Sequence, residues 1–156
     1  MSVWRVISER ERLHITLGVF DEDRPEHKGP VAEITIVNVG RLPAYVVEAA
    51  VVQRLPWPLR WPFRSLSFRT RSRWFPRVMF SRSVVWHVKF PGTSGGPMWG
   101  TLEPRALMRN STTNEELIDA WVRERRWIIV STAIRFYAAR ITDNRSKRPP
   151  QLPAFP

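Results

Sequence analysis

The chain has no cysteine among its 156 residues, which excludes disulfides, thiolate zinc sites and cysteine nucleophiles. A reducing interior suits such a chain without being required by it. Glycine is scarce, seven residues against fourteen prolines, so the loops are stiffened rather than loosened. Lysine is nearly absent: only Lys28, Lys89 and Lys147 stand beside 22 arginines. Long apolar runs are missing too. The most apolar stretch, residues 44–52, is interrupted by Glu48 and falls far short of the ~20 residues a membrane-spanning helix needs. Residues 1–18 carry charges at Arg5, Glu9, Arg10, Glu11 and Arg12, so they lack the apolar centre of a secretory signal. The expectation is a cytoplasmic or membrane-peripheral protein. No internal repeat occurs, which removes solenoids and propellers, and no glycine-rich phosphate loop of the dinucleotide or NTP type is found. No cofactor and no small-molecule substrate are expected.

The most local absence is acid. Residues 49–102 contain no Asp or Glu, while Arg54, Arg60, Arg64, Arg69, Arg71, Arg73, Arg77, Arg82 and Lys89 fall inside them. This window therefore supplies nine of the formal net +11, and the rest of the chain is nearly neutral. Its centre, RLPWPLRWPFRSLSFRTRSRWFPR, interleaves arginine with Trp57, Trp61, Phe63, Phe68, Trp74 and Phe75. Arginine is a planar fork that pairs with phosphate and carboxylate, and the aromatics stack. Against a single-stranded nucleic acid the arginines would neutralise phosphates while the rings stack bases. Against a membrane, Trp favours the headgroup zone and Arg the anionic surface, and the composition is similar to Trp/Pro/Arg-rich host-defence peptides. Pro56, Pro58, Pro62 and Pro76 forbid a regular amphipathic helix through the first half. Docking on a protein subunit would use the same Trp and Arg anchors. The structural alternative is that the aromatics fold back over the domain edge while the arginines stay solvated. The candidate partner-binding residues are Arg54, Trp57, Arg60, Trp61, Phe63, Arg64, Arg69, Arg71, Arg73, Trp74 and Arg77.

A hydrophobic content of 43% with eight Trp and eight Phe argues for a packed core, and the length suits one domain. Leu13, Ile15, Leu17 and Val19 alternate with polar or small residues, the period of a half-buried strand. Residues 21–30 read as a polar turn, 31–37 as a β-branched strand, and 44–53 as a strand apolar on both faces, as a central one would be. Between these two, residues 38–43 read as a tight reversal or crossing, with Asn38 and Gly40 able to take positive φ and Pro43 fixing its own. Val84, Trp86, Val88 and Phe90 share one period-2 face ending at Pro91-Gly92. Thr112 and Thr113, each followed three residues later by Glu, predict one helix over about 113–126 with Arg123, Arg125 and Arg126 at its end. Ile128, Val130, Ile134 and Phe136 predict one long strand beyond it. The expected fold is mainly β, an antiparallel sandwich spanning 1–145. It carries one short helix, a basic insertion at 54–77 and a Pro-rich tail at 146–156. The expected core holds Leu13, Ile15, Ile34, Ile36, Val47, Trp86, Ile128, Val130 and Ile134.

The series Arg12-Leu13-x-Ile15, Ile34-x-Ile36-Val37-Asn38-x-Gly40-Arg41-x-Pro43-Ala44-x-Val46, Phe75-Pro76 and Ser83-Val84-x-Trp86 resembles immunoglobulin-like β-sandwich domains of uncharacterised bacterial and phage proteins. Those domains commonly place Asn-x-Gly-x-x-Pro-Ala between two early strands. The resemblance covers about residues 12–140 and implies a fold rather than an activity. The chain departs from it in the basic insertion and at Phe80-Ser81-Arg82, where a Pro-Gly turn is more usual.

A second motif, Gly92-Thr93-Ser94-Gly95-Gly96-Pro97, looks like the nucleophile loop of chymotrypsin-like serine proteases, whose glycines shape an oxyanion hole. The alternative function is thus a small serine hydrolase centred on Ser94. Such a site needs His and a carboxylate. Only His14, His27 and His87 exist, no Asp lies between His27 and Ser94, and Glu33 or Glu48 would have to substitute. A plain Gly/Pro loop is the competing reading. The histidines lack metal-ligand spacing, His87 reads as outward-facing, and Asp21-Glu22-Asp23 lacks the glycine and closing Glu of a calcium loop. The leading expectation is a non-enzymatic interaction or structural module without metal or cofactor. Its basic aromatic loop binds a nucleic acid, a membrane surface or a neighbouring subunit.

Overall fold

The computed structural model describes residues 11–59, 79–88 and 100–145, with the side chains of Arg82, Ser83 and Val85 excepted. Two β-sheets dominate, each presenting one apolar face to the other. In chain order the strands are β1 (Leu13–Arg24), β2 (His27–Asn38), β3 (Ala44–Arg54), β4 (Phe80–His87), β5 (Gly100–Leu102), β6 (Leu107–Thr112), β7 (Trp127–Thr132), β8 (Phe136–Arg140) and β9 (Thr142–Asp143). One helix, α1 (Glu115–Arg123), sits between β6 and β7. A second helical turn is described at residues 57–59, where the prolines predict none: Pro56 stands before it and Pro58 within its first turn, where no backbone donor is needed, and Leu59 N donates to Pro56 O (3.1 Å). The first sheet runs β6-β2-β1-β9 and the second β4-β3-β7-β8, with β5 also pairing β3. All pairings are antiparallel except β1 with β9.

The alternation in β1 does what its period implies. Leu13, Leu17 and Val19 are buried with Ile15 half-buried, and they face Asn38, Ile34, Ala32 and Ile36 across the β1–β2 ladder. Residues 21–30 are not a long turn. The hairpin continues through Asp21↔Pro30 to Arg24↔His27, leaving only Pro25-Glu26 to reverse the chain. Polar residues extend a strand as well as apolar ones once it projects past the partner sheet. Here the ion pairs Arg24–Glu22 (2.6 Å) and Lys28–Asp23 (3.5 Å) decorate the extension.

The crossing at residues 38–43 carries β2 of the first sheet into β3 of the second. Asn38 is fully buried. Its Nδ2 donates to the carbonyls of Leu42 (2.8 Å) and Leu102 (2.9 Å), and its Oδ1 accepts from Gly40 N (3.0 Å). One amide side chain thereby satisfies three backbone groups that the crossing would otherwise leave unpaired. Neither Asn38 nor Gly40 takes positive φ, so this motif works by hydrogen bonding rather than by left-handed backbone.

As a central strand, β3 is apolar on both faces. Val46, Ala49 and Val51 join the inter-sheet core, while Ala50 and Val52 face the other way. A register shift between Val46 and Glu48 inserts Val47 as an extra residue, and Val47 is exposed. It is therefore not a core residue, because a bulge takes its side chain off the alternation. A second shift opposite β4, where Val51 faces Trp86 and Val52 faces Val84, puts Trp86 in the inner core and Val84 on the outer face. The single face expected for 84–90 is broken by that bulge.

The helix is shorter than the expected 113–126. Asn114, not Thr112 or Thr113, caps it by accepting from Leu117 N (3.1 Å). At the other end Arg125 N donates to Val122 O (3.2 Å) and Arg126 N to Trp121 O (3.0 Å), the paired bonds of a Schellman stop. Ile118 and Trp121 are fully buried, and Trp121 packs on Trp86 with ring centroids 5.4 Å apart. The long strand expected after Trp127 is instead the β7–β8 hairpin. Thr132 Oγ1 accepts from Arg135 N (2.9 Å) and Ile134 N (3.3 Å), and Thr132 N donates to Arg135 O (2.8 Å). This side-chain turn reverses the chain, leaves Ile134 exposed and sends Phe136 to the outer face. β6, LMRNST, carries a single buried apolar residue, Met108, too little hydrophobic pattern to mark a strand in the sequence. The Pro-rich tail at 146–156 and most of the Gly-rich stretch lie outside the described residues.

Candidate anion-binding face

The outer face of the second sheet is a platform of aliphatic and aromatic side chains. Ala50, Val52 and Ile129 are fully buried there and Phe80 nearly so, with Met79, Val84, Trp127 and Phe136 packed against them. Register places Trp127 beside Val52 on one side and Arg140 on the other. Phe80 meets the edge of Trp127 at 5.6 Å between centroids and tilts against Phe136 at 5.8 Å. The Arg54 guanidinium lies 5.2 Å from the Trp127 ring centre, a cation–π stack at the rim of the platform.

The acid-free basic segment springs from this rim. β3 ends at Arg54, Leu55 N donates to Met79 O (3.0 Å), and Arg54 stands opposite Phe80. The two ends of the segment are therefore clamped side by side. Of the predicted partner-binding residues, Arg54 and Trp57 are described, and both are exposed. Arg60, Trp61, Phe63, Arg64, Arg69, Arg71, Arg73, Trp74 and Arg77 lie outside the described residues.

Beside the root of the segment is a cleft of about 290 Å³ lined by Gln53, Arg54, Leu55, Pro56, Glu124, Arg125, Trp127 and Arg140. By sequence Arg125 is only a helix-end cation, and Arg140 carries no distinguishing pattern. No local signal marks them, since they join Arg54 only through the β3–β7–β8 ladder and the turn after α1. Arg125 has φ 53°, the left-handed conformation normally given to glycine at this position of a Schellman stop. A non-glycine residue there costs about 1–2 kcal/mol. Glu124, the one carboxylate of the cleft, is ion-paired with Arg126 Nη2.

Ser94 also lies outside the described residues. His14 is on the outer face of β1, His27 at the far hairpin and His87 exposed at the end of β4. Glu33 accepts from Thr35 Oγ1 (3.1 Å) and pairs with Arg109 (3.2 Å). No cluster of three or more metal-ligating side chains occurs among the described residues. No described helix is long and apolar enough to cross a membrane. Comparison with protein-family models, with curated proteins and with solved structures finds no match.

Proposed function

We propose that the chain is a non-enzymatic binding module, an immunoglobulin-like sandwich whose basic aromatic segment engages an anionic partner. That partner is a nucleic acid, a membrane surface or an acidic face of a neighbouring subunit. The observation that carries this reading is the nine-charge, acid-free window rooted in two paired strands at the rim of an aromatic platform. A segment clamped at both ends loses less entropy on binding than a free tail does. The Asn38-stitched crossing between two sheets supports the immunoglobulin-like reading of the fold.

Binding to anionic polymers or vesicles should weaken steeply with salt. Each phosphate neutralised adds ~0.9 to the negative slope of log K against log salt on duplex DNA and ~0.7 on single strands. Replacing Arg69, Arg71 and Arg73 with Ser should lower that slope by roughly two to three units if all three touch phosphate. Replacing Trp57, Trp61 and Trp74 with Ala should cost affinity at nearly constant slope, because stacking releases no counterions. A wild-type protein that binds no anionic polymer, vesicle or protein at low salt overturns the reading. So does stoichiometric labelling by a fluorophosphonate that disappears in Ser94→Ala.

A further inference from the structure

The positive surface continues beyond the acid-free window. Arg54 from the end of β3, Arg125 from the turn after α1 and Arg140 from the end of β8 converge on the one cleft described above. They are separated in the chain by 71 and 15 residues. The only carboxylate lining it, Glu124, is taken up by Arg126, and neither Arg125 nor Arg140 has an ion-pair partner among the described residues. Cations at a helix end ordinarily answer the helix dipole, and Arg123 in the last turn already does so. Arg125 goes further, since it occupies a left-handed position where glycine would be more stable. Backbone strain of this kind is enriched at ligand-contact sites, although Arg105 (φ 66°) carries it in the turn before β6 as well.

We infer that this cleft is a phosphate subsite for a single-stranded nucleic acid. Arg125 and Arg140 hold a backbone phosphate, and the Arg54–Trp127 stack forms the wall beside the adjoining nucleotide. The inference rests on the proposed anion-binding function and extends it to residues outside the basic segment. A planar bilayer does not enter a concave site between a strand end and a helix turn, whereas a flexible strand with protruding phosphates does. Arginine forks and aromatic planes are the two groups single strands are read by.

The test is fluorescence anisotropy of a labelled 20-nucleotide oligothymidylate across a salt series, with unfolding midpoints recorded for every variant. Arg125→Gly keeps the left-handed backbone and relieves its strain, so its midpoint should equal or exceed that of the wild type while its affinity falls about tenfold, as loss of one charge-assisted contact implies. Arg125→Gly combined with Arg140→Ser should lower the salt slope by about 0.7, the one single-strand phosphate that the pair holds. The control Arg24→Ser with Lys28→Ser removes two charges from the far hairpin and should leave the slope unchanged. The inference is overturned if the double cleft variant binds with wild-type affinity and slope while Arg69→Ser/Arg71→Ser/Arg73→Ser still lowers the slope; the broader binding function then stands. Binding to phosphatidylserine vesicles without binding to oligothymidylate likewise overturns the cleft and leaves the broader function intact. Binding to neither overturns the cleft, and the broader function falls with it if no other anionic polymer and no protein binds at low salt.

Discussion

The outward faces of the two sheets are built on the same backbone geometry and present opposite surfaces. On the first sheet, His14, Thr16, Glu33, Thr35, Arg109 and Ser111 point away from the core, and Glu33 is held by Arg109 and Thr35. Its one aromatic, Phe20, folds down over Gly18, where an added Cβ would come within 2.8 Å of the ring. On the second sheet the corresponding positions are Ala50, Val52, Val84, Trp127, Ile129 and Phe136. The first face is mixed, with Val31, Val37 and the exposed Leu107 among its polar residues, and it is largely open to solvent. The second is apolar, bordered by Arg54 and Arg140, and it is the face from which the basic segment departs. A sandwich needs only its inner faces to fold, yet Ala50, Val52 and Ile129 on this outer face are fully buried, so a second apolar cluster packs there.

Substitution should separate the faces most sharply at their centres. Phe80→Ala removes a ring packed on Trp127 and Phe136 and should cost ~3–5 kcal/mol in chemical denaturation, whereas the exposed Thr16→Ala should stay within ~0.5 kcal/mol. Equal losses would erase the distinction. A smaller effect is expected at the rim. Arg54→Met removes the stack on Trp127, and its loss of ~0.5–1 kcal/mol should persist at high salt if packing on the indole carries it. On the solvated face, Glu33→Gln should cost ~0–1 kcal/mol at low salt and less at high salt, because its pair with Arg109 is open to solvent.

The smallest expected effect lies at the edge of the first sheet. Arg145 bridges Asp143 (2.9 Å) and Asp119 (2.8 Å), tying β9 to α1. The hydrogen bond from Arg145 holds the Asp143 carboxyl below its ordinary value of 3.8. A carboxylate whose folded pKa is lowered binds fewer protons in the folded state. Its contribution is therefore present above pH 3.8 and is lost as pH falls from there through the folded value. Thermal melts of wild type and Asp143→Asn should differ slightly at neutral pH and converge below that range.

Much of the inner architecture was legible in the chain because it depends on local period. Leu13, Ile34, Ile36, Ile128 and Val130 sit in the core their alternation assigns them, with Ile15 and Trp86 packed against it. The two-faced apolar character of β3 marked a central strand, and the acidic start and basic end of α1 marked a helix within two or three residues of its true ends. Asn38 in its Asn-x-Gly setting marked the crossing, although its mechanism is a buried amide rather than positive φ.

What the chain determined by itself is thus period, composition and charge: which residues alternate, where acid is missing, and where a helix cap fits. Tertiary structure alone decided the bulges at Val47 and between Val84 and Trp86, the Thr132 turn that exposes Ile134, and the extension of the β1–β2 hairpin through polar residues. It alone gathered Arg54, Arg125 and Arg140 around one cleft. The physical reason is common to all of them. A side chain's period is a local property of its own strand. Register, and with it the face a residue ends on, is set by hydrogen bonds to strands distant in the sequence, and a single inserted residue reverses it.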